Sequence, residues 1–221
     1  MKIWSLVVFA IVILMVSSAL AQNLSDRATL PTLPTLPPVV TPSTDPAAWV
    51  KAHEEKLAET KDLLKRHSLL RYLAPAAYAA KQSEKAKAFA MELIENGKLL
   101  NERPGFGNSS SSDATFIGNT VLGHLAVDSN NIEMAKDYLL RAGDVPGSPV
   151  LKSFGPGMSL ANALLEKGER ETAIKFFDEC MKFWDHDEGR LQMWKDTVAA
   201  GHMPYFGTSL TTSMTTWRVV Q

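Results

Sequence analysis

One pattern of residues occurs twice between Gly118 and Trp184, and it constrains the architecture more strictly than anything else in the chain. Leu122-Gly123, a turn at Asn130-Asn131, then Ala135, Leu139 and Ala142 are matched 38 residues later by Leu160-Ala161, Gly168, Ala173, Phe177 and Cys180. Each copy reads as two helices joined by a tight turn. Gly123 or Ala161 lets the first helix come close to its neighbour, and Asn130 or Gly168 supplies the turn. Ala135 or Ala173 seats the second helix, and Leu139 or Phe177 fills the gap one turn further on. A fainter copy lies 49 residues upstream at Leu73-Ala74, Lys81, Ala86, Ala90 and Leu93, with Pro75 inside its proposed first helix. Three copies matter because one helix pair cannot bury its apolar face alone, and stacking is what makes a core.

Leu-Gly or Leu-Ala, then Ala and four residues later a large apolar residue, resembles the tetratricopeptide repeat, a helix-turn-helix unit of about 34 residues. The chain departs from that family at Asn119 and Gly157, where Trp is frequent, and at Ala126 and Leu164, where Tyr is frequent. The connector from Gly143 to Gly155 is longer than the family needs. The resemblance implies an all-α fold, a short α-solenoid of antiparallel helix pairs with capping helices at both ends. In the family, the first helices line a concave surface that holds peptides or partner helices. Projected here, that surface carries Arg71, Tyr78, Thr120, His124, Asp128, Asn162 and Glu166. Such a mixed set can hydrogen-bond a peptide backbone. It lacks the dense Lys, Arg and Asn clamp some members use for a C-terminal carboxylate. Solvated helix faces would be equally polar.

Around the repeats the chain divides cleanly. Residues 1–21, with Lys2, the apolar run Val7 to Val16 and Ala19-Leu20-Ala21, read as a secretory signal cleaved after Ala21. The apolar run is shorter than the roughly 20 residues a spanning helix needs. Residues 22–44 carry Thr-Leu-Pro three times and read as an extended spacer. A helical domain is expected over 45–207 and a frayed tail over 208–221.

Within the domain, Asp45-Pro46 starts a packing helix carrying Trp49, Val50, His53, Leu57, Leu63 and Leu64, followed by helices over Ser68 to Ala80 and Ser83 to Asn96. Gly97 is expected to end the last of these in a left-handed conformation. Ser112 or Asp113 should cap the next helix, and Asp187-Glu188 should open the closing one. His202 to Gly207 lacks periodicity and reads as a segment laid back across the last helices.

Composition removes whole classes of partner. Without the signal, 22 basic residues face 24 acidic ones, so no global field draws the chain to nucleic acid or anionic lipid. Cys180 stands alone, so no intramolecular disulfide is available, and it reads as a small buried seat rather than a reactive thiol.

Chemistry is sparse. Gly157-Met158-Ser159-Leu160-Ala161 approaches the nucleophile-elbow pattern, but that elbow needs a strand before it, and only Val150 to Phe154 could supply one. His53-Glu54-Glu55 and Asp185-His186-Asp187-Glu188 lack a second His at helical spacing, so no metal site is expected, and no cofactor. Asn108-Ser109-Ser110 fits a glycosylation acceptor, and Phe106 sits in a Gly- and Ser-rich connector. The expectation is an exported scaffold binding a protein or peptide without catalysis. A structural or oligomerisation module and a helical hydrolase using Ser159 are the alternatives.

Overall fold

The computed structural model describes residues 45–104 and 109–210; the signal segment, the spacer, Phe106, Asn108 and residues 211–221 of the tail lie outside them. The described residues are all-helical: α1 Pro46–Glu59, α2 Leu63–Ala79, α3 Ser83–Asn101, α4 Ser109–Asp128, α5 Ile132–Gly143, α6 Pro149–Phe154, α7 Ser159–Glu166, α8 Arg170–Met181 and α9 Arg190–Ala199, then a 3-10 turn Gly207–Leu210. No strand occurs among them.

Helix starts follow side-chain chemistry. Asp45 accepts from the Ala47 N–H with Pro46 at the first helical position, as the sequence suggests. The apolar spacing from Trp49 to Leu64 does not make one helix. Asp62 accepts from the Lys65 N–H at 2.9 Å and starts α2, so a break falls at Thr60. The candidate strand Val150 to Phe154 is helical too. Ser148 Oγ accepts from the Leu151 N–H and Pro149 follows it, a start signal that outweighs one β-branched residue. The closing helix begins at Arg190 and not at Asp187-Glu188, because Glu188 and Gly189 have φ of 54° and 77°. Asp187 instead accepts from the Leu191 N–H.

The interhelix turns repeat. Lys81, Asn130 and Gly168, the positions the sequence pattern aligns, have φ of 59°, 58° and 87°. In each, the following N–H reaches back five residues: Gln82 to Ala77, Asn131 to Ala126 and Glu169 to Leu164, at 2.9, 2.8 and 3.0 Å. This is the Schellman closure of a helix end. Asn and Gly tolerate the left-handed conformation, whereas Lys81 holds it against a steric cost.

Helix contacts place α4 in the middle. It packs against α3 and α5, and also against α2 and α7; α5 touches α8, which touches α9. Helices α3 and α5 do not touch each other among the described residues. The apolar interior falls into two clusters. One runs from Trp49 and Val50 of α1 through Leu70, Leu73, Phe89 and Leu93 to Val121 and Leu122 of α4. The other runs from Phe116 of α4 through Leu139, Leu160, Phe176 and Phe177 to Trp194 of α9. Ile117 and Tyr138 pack against both. The last segment does lie across the closing helices: Phe206 is buried 5.0 Å from the Trp194 ring, and the Trp194 indole N–H donates to Tyr205 O. Cys180 is fully buried, and burial pushes its thiol well above the usual range.

Small residues sit where helices come close. A Cβ on Gly123 would lie 2.2 Å from Leu160 Cδ2, so the α4–α7 crossing uses the Gly that the repeat pattern singles out. Gly97 does not end its helix. It lies inside α3, buried, and a Cβ there would meet Ala114 Cβ at 2.5 Å and the Ser111 Cα at 3.3 Å. Ser112 and Asp113 likewise do not cap α4; both are buried within it. Alanine in a helix interior is worth about 1 kcal/mol over glycine. Gly97→Ala is nonetheless predicted to destabilise by about 1–3 kcal/mol, the usual cost of overpacking. Urea unfolding measures it, and a gain in stability would contradict the close α3–α4 crossing.

Candidate functional site

Polar residues gather on one face of α4 where it meets α2 and α7. Tyr78, the last turn of α2, stacks on His124 of α4 with ring centroids 5.2 Å apart. His124 Nε2 is 2.9 Å from Ser159 Oγ at the start of α7, a hydrogen bond whose donor depends on the tautomer. Asp128, at the end of α4, accepts from the Tyr78 hydroxyl, and Lys81 Nζ stands 5.3 Å from the Tyr78 ring centre. Burial, reinforced by Asp128, pushes the Tyr78 hydroxyl up to about 12. Burial likewise holds His124 down at about 4; Asp128 opposes that shift and Lys81 adds to it. His124 is therefore a neutral imidazole at pH 7.

The other residues expected on this face are engaged locally. Arg71 pairs with Asp113 at 3.0 Å, and Asp113 in turn accepts from Ser148 Oγ, tying α2 and α4 to the connector ahead of α6. Thr120 is 2 % exposed and donates to Phe116 O, so its hydroxyl serves its own helix. Asn162 Nδ2 donates to Glu166 Oε1 at 2.7 Å on α7. Of the seven candidates, Tyr78, His124 and Asp128 come together, and Ser159 joins them. Among the described residues no group of three His, Cys, Asp or Glu is placed to hold a metal ion, and no helix is long and apolar enough to cross a membrane.

A Ser–His hydrogen bond is also the first half of a nucleophilic triad, in which a carboxylate orients the histidine. Here Asp128 is bonded to Tyr78, and the low basicity of His124 makes it a weak proton acceptor for the Ser159 hydroxyl.

The opposite face of α4 is concave. Because α3 and α5 straddle α4 without touching, they leave two cavities of about 520 and 570 Å³ along it. Both are lined by Leu122 and Tyr138, so they adjoin one another along α4 and together make the groove between α3 and α5. Met91 and Ile94 of α3 line the first cavity and Met134 of α5 and Leu125 of α4 the second, with Leu122 and Tyr138 in both. Met91 and Met134 are 55 % and 46 % exposed. Of the seven residues that the repeat pattern selects, Asp128 alone also lines this groove, so helical spacing did not point to its walls. A signal existed, since Met134 and Tyr138 stand off the buried stripe of Ala135, Leu139 and Ala142.

No protein-family model matches the chain, and neither a curated protein nor a solved structure matches it.

Two buried histidines fix an acid response. His67 is held down at about 4 by burial and by Arg71, as His124 is by burial. An unfolded histidine titrates near 6.5, so as pH falls the unfolded chain takes up the extra protons first. Their contribution is complete above about pH 6.5 and is lost progressively toward about 4, at about 1.4 kcal/mol per pH unit for each histidine. Urea unfolding between about pH 6.5 and 5 should show this slope, with about half of it removed in His124→Gln. An unchanged slope in that variant would contradict the burial of a neutral imidazole.

Proposed function

We propose that the chain is an exported helical-repeat scaffold, secreted or periplasmic after cleavage behind Ala21, that binds a helical segment of a protein or peptide partner. The three left-handed turns at Lys81, Asn130 and Gly168, with their shared closure, support a tetratricopeptide-like solenoid in which α2–α3, α4–α5 and α7–α8 are the pairs. The observation that carries the binding role is the pair of adjoining cavities between α3 and α5. Its apolar floor and methionine walls suit an amphipathic helix, since methionine adapts its unbranched side chain to varied surfaces. The residue pattern alone places the site on the α2–α4–α7 face, but the polar groups there are mostly bonded to one another. The two cavities lie on the other side of α4.

The test is binding of a designed amphipathic helix of about 16 residues, a length of roughly 24 Å. Charging both walls with Met91→Glu and Met134→Glu should weaken binding at least about tenfold, the loss of one 1.4 kcal/mol increment, with helical circular dichroism unchanged. Equal affinity in the variant would remove the groove as the binding surface.

One observation favours a second reading, a hydrolase: the 2.9 Å bond between His124 and Ser159. The scaffold reading predicts that a fluorophosphonate probe leaves Ser159 unlabelled. Labelling at Ser159 that disappears in His124→Gln would establish the hydrolase instead.

A further inference from the structure

The charges around the groove are unevenly spent. On the wall of α3, Lys98 pairs with Glu95, and on the wall of α5, Arg141 pairs with Asp137 at 2.7 Å. At the end of the groove lined by Ser83 and Ser129 the pattern changes. Glu84, Asp128 and Lys87 line that end, Lys81 stands beyond Tyr78, and none of the three lining charges is in an ion pair among the described residues.

Asp128 is also on the unfavourable end of its own helix. It is the last residue of α4, where the final carbonyls already carry partial negative charge and a carboxylate is disfavoured. It accepts a hydrogen bond from the Tyr78 hydroxyl on the other face, a neutral donor. An acid held in that position outside any ion pair is complementary to a cation from outside.

We infer that the segment seated between α3 and α5 is a cationic amphipathic helix, with a Lys or Arg directed to Asp128 and Glu84 at the Ser83 end of the groove. This rests on the groove reading above and adds the charge and the orientation of the occupant. Its apolar stripe lies on Leu122, Leu125 and Tyr138, and its basic flank meets the acidic end. A neutral or acidic helix would fit the same floor and leave Asp128 and Glu84 outside any ion pair.

Two designed peptides of about 16 residues, roughly 24 Å long as helices, test this. They share one leucine stripe and differ only in carrying Lys or Glu on the polar flank. Fluorescence anisotropy with the full chain measures both affinities at about 0.05 M and about 0.5 M salt, which screens exposed charges strongly. The Lys peptide should bind roughly fivefold or more tightly than the Glu peptide at low salt, as expected for one or two exposed pairs. That preference should shrink at high salt and in Glu84→Gln combined with Asp128→Asn. Glu84→Gln alone, which leaves Tyr78 its partner, should lose part of it. If the two peptides bind equally, or the Glu peptide binds more tightly, and Met91→Glu with Met134→Glu still abolishes binding, the charge inference falls and the groove stands. If neither peptide binds, both fall.

Discussion

The close approach of neighbouring helices to α4 is the constraint on which the rest depends. Gly97 of α3 lies on Ala114, Gly118 of α4 lies under Ile94, and Gly123 of α4 lies under Leu160, each with no room for another carbon at its usual distance. These contacts bring α3 and α7 onto different sides of one helix. Since α4 gives Val121 and Leu122 to one apolar cluster and Phe116 to the other, the two halves share a wall. Interiors are packed to crystal density, so such crossings have little slack. The absence of an α3–α5 contact among the described residues follows from the same arrangement, because both helices are drawn to α4 and not to each other.

Much of the architecture is legible in the residue spacing, for reasons that are local. Gly123 and Ala161 mark close approach, and Asn130 and Gly168 mark turns, because the physics at each position is carried by one residue type. The turn at Lys81 is visible only by alignment with the other two, since lysine itself has no preference for positive φ. What the pattern misses is settled by partners far along the chain. Gly97 resembles a helix terminator until Ala114 is placed on it. Asp113 looks like a cap until Arg71 and Ser148 claim its carboxylate. Val150 to Phe154 looks extended until Ser148 and Pro149 start a helix there.

The site divides in the same way. Tyr78, His124 and Asp128 can be selected from helical spacing, but nothing in the sequence says that Ser159, 35 residues beyond His124, completes the cluster. The groove is less legible still. Met91 and Met134 look like ordinary exposed residues on separate helices, and only the gap between α3 and α5 places them beside two adjoining cavities. Asp128 belongs to both places, bonding Tyr78 on one side of α4 and lining the groove on the other.

The most direct test of the groove is methyl NMR of the full chain with isotopically labelled methionines, titrated with the Lys-flanked amphipathic helix. The methyl groups of Met91 and Met134 should shift and broaden together, while Met193 and Met203, exposed outside the groove, keep their positions. Binding accompanied by shifts at Met193 or Met203 with Met91 and Met134 unmoved would contradict the groove as the working surface of this protein.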